Sequence, residues 1–209
     1  MSAVVEGVRA VRRAPDLWVP IVMLAFISAV GLVYQPLGVA FTTDDLSGGD
    51  ADRGAFLFGL MQGALGAGAV VGVLAIDGFT RRRPGDALLF SSIGFSVALV
   101  LLGATDQTPI ALGLSVVLGG FHFAQSTVAM NLVQHQVPEH LRGRVMGLHM
   151  VAFVGFFPIT SWISGQVAGA IGTRATLSAA GVACLVFSLY ALRWRPHVRI
   201  DGPRAPAGR

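Results

Sequence analysis

The chain has 209 residues, 54% of them hydrophobic and 12% charged, with a formal net charge of +4 and no lysine. So apolar a chain has no length to spare for a soluble domain beside membrane spans. The missing lysine excludes a Walker-type phosphate loop, a Schiff-base lysine and a Ser-Lys nucleophile pair.

In chain order, residues 1–16 form a basic lead carrying Arg9, Arg12 and Arg13. Val4 to Arg13 reads as a short amphipathic helix on the inner membrane surface, with an unstructured basic lead as the alternative. The first uncharged run, Leu17 to Phe41, is longer than a signal-peptide core, lacks a cleavage pattern and is long enough to span. Pro20 suits its first turn, Trp18 suits the headgroup level, and Tyr34 and Gln35 fall toward its outer end with Pro36 beside them. The following loop, Thr42 to Arg53, is acidic through Asp44, Asp45, Asp50 and Asp52.

The second run, Gly54 to Ile76, pairs Gly59 with Gly63 and Gly68 with Gly72 at four-residue spacing. That spacing puts small residues on one helix face, where another helix can approach closely without hydrophobic drive from lipid, so these glycines are expected to pack helices. Gln62 lies in its outer half. A basic connection with Arg81, Arg82 and Arg83 leads to the third run, Ala87 to Thr105. The fourth, Pro109 to Gln134, begins at a proline and reaches mid-membrane near His122, with Gln125 and Ser126 one turn on. An ionisable side chain at the midplane costs about 2.5 to 3.5 kcal/mol on insertion scales, so it faces a cavity or a partner. His122 is therefore the leading functional candidate; the alternative is a neutral histidine bonded to a neighbouring helix.

Arg142 and Arg144 precede the fifth run, Val145 to Gly172, where Gly155 and Pro158 predict a kink and Gly165 with Gly169 repeat the packing spacing. Thr160, Ser161, Trp162 and Ser164 follow that kink. The sixth run, Ala175 to Leu192, holds the single Cys184, an apolar packing residue with no redox role. Tyr190 and Trp194 mark its interfacial end, and a Pro-, Gly- and Arg-rich tail, 193–209, is expected to be disordered.

The fold expected is thus an all-α membrane protein of six transmembrane helices: lead 1–16, bundle 17–192, tail 193–209. All basic residues except Arg53 and Arg174 fall in the lead, the even-numbered connections or the tail, which places both termini in the cytoplasm and the chain in the cell membrane as a multi-pass protein. Topology accounts for the positive charge, so nucleic acid is not an expected partner; the lipid bilayer is. His122, Gln125, Ser126, Tyr34, Gln35, Ser161 and Trp162 together would line a neutral, aromatic-bearing pocket for a small amphipathic solute. No carboxylate lies deep in a span, and His135, His140 and His149 lack metal-ligand spacing, so neither a carboxylate proton relay, a metal nor a cofactor is expected.

The stretch Val137-Pro-Glu-His-Leu-Arg-Gly-Arg-Val-Met-Gly-Leu-His149, followed by Gly155-Phe-Phe-Pro158 and Gly165, resembles the connection between the tenth and eleventh helices of major facilitator superfamily transporters, in the branch of enterobactin exporters and macrolide efflux proteins. The opening Glu6-Gly-Val-Arg-Ala-Val-Arg-Arg-Ala-Pro15 is similar to that branch's linker between halves. Asp77-Gly-Phe-Thr-Arg-Arg-Arg83 resembles a degenerate copy of the family's gating-loop motif, departing from it at Gly78 and Thr80. The resemblance implies the C-terminal half of a secondary transporter, built as 3+3 inverted repeats, with Asp77, Arg81, Arg82, Arg142 and Arg144 in cytoplasmic gating loops. It implies efflux of a small organic molecule, drug-like or siderophore-like, by alternating access, with the first and fourth helices lining the cavity. A second six-helix half would then come from a separate chain or a homodimer. The alternative is a truncated, non-transporting remnant or a membrane scaffold that packs with another bundle.

Rival six-span chemistries are not matched. Ser164-Gly165 follows Trp162 where a rhomboid-like protease needs glycine, no Asn-Pro-Ala pair of an aquaporin occurs, and the inner connections are too short to reach an ATP-driven motor. The expected class is therefore a transporter and not an enzyme.

Overall fold

Proline and glycine set where the helices of this chain begin, break and stop. In the computed structural model, which describes residues 15–80, 83–136, 143, 146–147 and 150–193, every regular element among the described residues is helical. Helix α1 (Pro15–Gly31) starts on a proline, so Pro20 sits one turn inside it and not in its first turn as expected. Pro36 breaks the first span. It has no N–H to offer the Leu32 carbonyl, which accepts instead from Gln35 N–H at 3.0 Å, tightening the chain into a turn before α2 (Tyr34–Ala40). The span then widens into π geometry over Phe41–Leu46, so much of the expected outer loop is helical and the true turn is residues 47–50. Gly48 and Gly49 supply the positive φ (65° and 93°) that this turn requires.

Helix α3 (Ala51–Thr80) is capped by Asp50, whose Oδ1 accepts the Arg53 N–H at 3.0 Å. Helix α4 (Pro84–Ala104) begins on a proline, and α5 (Thr108–Gln136) follows a three-residue turn. A π-helical stretch, Val151–Gly155, gives way at Phe156 to α6 (Phe157–Ile171), with Pro158 in its first turn. The fifth span is therefore interrupted where Gly155 and Pro158 stand. Gly172, at φ 88°, separates α6 from α7 (Thr173–Ala191).

Five helices among the described residues are long and apolar enough to cross a membrane: Pro20–Leu46, Ala51–Ile76, Pro84–Ala104, Thr108–Leu132 and Thr173–Ala191. The remaining expected span, the fifth run from Val145 to Gly172, has its backbone described without a break only from Met150 onward, and its regular helix α6 has 15 residues. The expected lead helix at Val4 to Arg13 and the tail beyond Arg193 lie outside the described residues.

Close backbone approach holds the bundle together. A Cβ at Gly68 would overlap the Val116 carbonyl, one at Gly72 the Gly120 backbone, and one at Gly119 the Leu65 carbonyl, so α3 and α5 touch through backbone. Gly103 and Gly181 do the same between α4 and α7. Arg174 fastens that pair further, donating from Nη2 to Ala104 O at 2.8 Å and from Nε to Gly103 O at 3.3 Å, where the last carbonyls of α4 lack partners.

Buried apolar residues form two clusters stacked along the helix axes. One holds Met23, Leu24, Leu88, Leu89, Ala124, Val128, Leu132 and Ala191; the other holds Ile27, Leu37, Phe41, Phe95, Leu99, Leu118, Leu177 and Cys184. Each of α1, α4, α5 and α7 passes from one cluster to the other.

Candidate functional site: a polar belt around His122

Six of the twelve buried polar side chains among the described residues lie at the crossing between the two apolar clusters. On α1 it is marked by Ser28, on α4 by Ser91 and Ser92, on α5 by His122 and Gln125, and on α7 by Ser188; none is more than 2% exposed. Three of the serines satisfy their hydroxyls within their own helix: Ser91 donates to Ala87 O at 2.7 Å, Ser92 to Leu88 O at 2.8 Å, and Ser188 to Cys184 O at 2.8 Å. Ser28 Oγ, His122 Nδ1 and both amide atoms of Gln125 find no hydrogen-bond partner among the described residues. An unpaired buried polar group costs about 1 to 3 kcal/mol, so a helix bundle keeps several together only against some return.

Four spans bring aromatic rings to the imidazole. Phe153, from the π-helical stretch of the fifth span, lies nearly parallel to it at 5.4 Å between centroids and 17° between planes. Phe95 of α4 is 5.4 Å away, Tyr34 of α2 meets it edge-on at 6.4 Å, and its own neighbour Phe123 stands perpendicular at 5.6 Å. Tyr34 and Phe95 also contact each other at 6.2 Å. The proline turn at Leu32–Val33 sets the position of Tyr34, and the break before α6 sets that of Phe153, so both rings hang on irregular backbone.

The expected pocket residues are divided by this arrangement. Tyr34, His122 and Gln125 are brought into one buried region, and Ser126 is half-buried next to Gln125 on α5. Gln35 faces the second span, where its Oε1 accepts from Gln62 Nε2 at 3.3 Å. Ser161 donates to Phe157 O at 2.8 Å on its own helix, and Trp162 is 70% exposed on the surface of α6. These two do not join the buried cluster, because the residues that α6 turns inward are Ser164 and Thr160, whose Oγ1 donates to Ala29 O of α1 at 2.6 Å.

The six packing glycines divide as well. Gly68 and Gly72 lie against α5, whereas Gly59, Gly63, Gly165 and Gly169 have open space where a Cβ would stand. The cytoplasmic-loop set, Arg81, Arg82, Arg142 and Arg144 with the side chain of Asp77, lies outside the described residues. Sequence reasoning missed Ser28, Phe95 and Phe153. The first is a hydroxyl inside an apolar run, a usable signal; the phenylalanines carry none, since they match the apolar residues around them.

Chemically the belt is neutral. No Asp, Glu, Lys or Arg is buried among the described residues, and no group of side chains there could hold a metal ion. An imidazole that can both donate and accept, an amide with free donor and acceptor atoms, and flat aromatic walls suit an uncharged or weakly polar organic molecule.

Membrane-length helices wrapped around such a belt define a multi-pass helical membrane protein. The family described as "Transmembrane secretion effector", a group of major facilitator proteins, matches residues 2–200, and the chain belongs to it. The chain is 25% identical to the multidrug efflux pump Tap of Mycolicibacterium fortuitum over 194 residues, 92% of this chain and 46% of that protein. It is 25% identical over 135 residues to the enterobactin exporter EntS of Escherichia coli O1:K1, covering 64% of this chain and 32% of the exporter. EntS of Shigella flexneri gives the same identity over the same length, 33% of that protein. The chain thus spans less than half the length of these curated relatives. No solved structure matches it.

Proposed function

We propose that the chain is one six-helix half of a secondary active transporter that exports a small organic molecule, drug-like or siderophore-like, by alternating access. The observation that carries this reading is the buried, aromatic-caged His122, whose Nδ1 is unpartnered beside the equally unpartnered Gln125. Membership of the secretion effector family and the likeness to two kinds of efflux protein support it. In this reading the half is built as 3+3 inverted repeats with both termini in the cytoplasm, and His122, Gln125, Ser126 and Tyr34 contribute to the solute site, with Gln35, Ser161 and Trp162 at its margins. Asp77, Arg81, Arg82, Arg142 and Arg144 act in the cytoplasmic loops that gate it.

A second six-helix half, from another chain or a second copy, completes the transporter. Support comes from α3 and α6, the least covered helices. Their outer faces carry Phe56, Leu60, Ile159, Trp162 and Ile163 together with the bare glycines Gly59, Gly63, Gly165 and Gly169. The same faces favour one other reading, a membrane scaffold that binds a helical bundle without transporting. Efflux of fluorescent organic solutes from cells making the chain, alone and with a candidate N-terminal half, tests both. Export above background that is lost in His122→Ala at equal membrane abundance supports the transporter; partner binding with no export in any combination favours the scaffold.

A further inference from the structure

The cage around His122 has one wall unlike the others. Phe95 lies on the regular helix α4, is fully buried and is hemmed in so closely that a Cβ at Gly31 would overlap its ring. Its plane is tilted 41° from the imidazole, while Tyr34 and Phe123 stand at 79° and 88°. Of the four rings only Phe153 lies flat against His122, 17° from parallel, and it does so while only half-buried. The flat face of the imidazole is thus covered from the fifth span.

The backbone that carries Phe153 is built to give way. It is the π-helical stretch Val151–Gly155, a geometry that is rare and recurs at functional sites. Pro158 has no N–H to offer the Val154 carbonyl, and regular bonding resumes where Thr160 N–H donates to Phe156 O at 2.9 Å. Helix α1 packs against the stretch on one side, whereas Val151 and Gly155 at its two ends are exposed. A move of Phe153 toward the exposed side therefore breaks no regular helix.

We infer that Phe153 is the displaceable wall of the solute site, and that a flat, uncharged aromatic ring of the solute takes its place against His122. A hydrogen-bonding substituent at the edge of that ring meets the unpartnered amide of Gln125, one turn along α5. Phe95 and Tyr34 stay where they are and limit how wide the ring can be. The inference rests on the transporter reading in placing the solute at His122; it adds the class of solute and the residue that admits it.

Thermal unfolding of the purified full chain in detergent, titrated with naphthol and with the corresponding decahydronaphthol, tests this without export or a second half. The two alcohols share a skeleton and a hydroxyl, and only the first is flat. Wild type is expected to give a saturable rise in midpoint with naphthol at concentrations where the saturated alcohol gives none. Phe153→Ala removes the competing ring, so half-saturation falls by about two- to tenfold, the worth of one aromatic pair. Phe153→Leu, which keeps most of the bulk without the flat face, moves the same way, and His122→Leu abolishes the preference for the flat alcohol. A purely structural role for Phe153 would instead weaken naphthol binding in both of its variants, and that result overturns the assignment. So does an equal response of wild type to the two alcohols, or no saturable response to either. Export with no preference for flat solutes would remove the subsite and leave transport standing, whereas the expected binding pattern in a chain that never exports keeps the subsite and removes the transporter reading.

Discussion

At the scale of single residues, His122 and Gln125 share burial and unpaired polar atoms but lead to different expectations. His122→Ala removes the only ionisable donor-acceptor in the belt and strips the stacking partner of Phe153, so export is expected to fall to background while membrane insertion stays normal. Retained export in that variant at matched expression would take His122 out of the solute site. Gln125→Leu replaces two unsatisfied groups by a side chain of similar size, each unsatisfied group costing about 1 to 3 kcal/mol. Thermal unfolding in detergent should therefore move upward in Gln125→Leu while export declines; a lowered midpoint would mean that the amide has a structural partner. His122 and Tyr34 were legible in the sequence because a polar group in an apolar run stands out. Phe95 and Phe153, which complete the cage, were not, because a phenylalanine among apolar residues gives no sign of what its ring will face.

At the scale of the helix, α3 carries two glycine pairs with identical spacing and different surroundings. Gly72 meets the Gly120 backbone, so Gly72→Leu is expected to force α3 and α5 apart and cost about 1 to 3 kcal/mol, seen as a lowered unfolding midpoint. Gly59 meets nothing, so Gly59→Leu should leave that midpoint unchanged. Equal destabilisation by both would show that the outer face of α3 is packed within the bundle. The periodicity that located the spans could not separate these pairs, since four-residue spacing marks a face without naming its neighbour. It also passed over Gly103, Gly119 and Gly181, whose approach to another helix depends on where that helix lies and not on any repeat. Backbone breaks were more readable: Pro36 and Pro158 each stand where a helix is interrupted, because a missing N–H acts locally whatever the tertiary fold.

At the scale of the whole molecule, the bundle buries its polar belt and leaves α3 and α6 bare on their outer faces. If a second half covers those faces, Gly59→Leu combined with Gly165→Leu should reduce co-purification of the two halves at least severalfold without changing the stability of this one. Unimpaired association would place the contact elsewhere. Reporter tags fused at the two ends should both read cytoplasmic, as the arginine distribution requires; a split result would overturn the topology.

Sequence alone determined that lipid surrounds this chain, where its spans lie and which side chains are conspicuously polar at depth. These follow from composition and length, because hydrocarbon forces backbone hydrogen bonds to close within each segment. Tertiary structure alone decided which polar groups share a level, which rings enclose His122 and which glycines touch another helix. Those are relations between segments, set by the rotation and depth at which each helix packs, and no single helix encodes its own rotation against a neighbour.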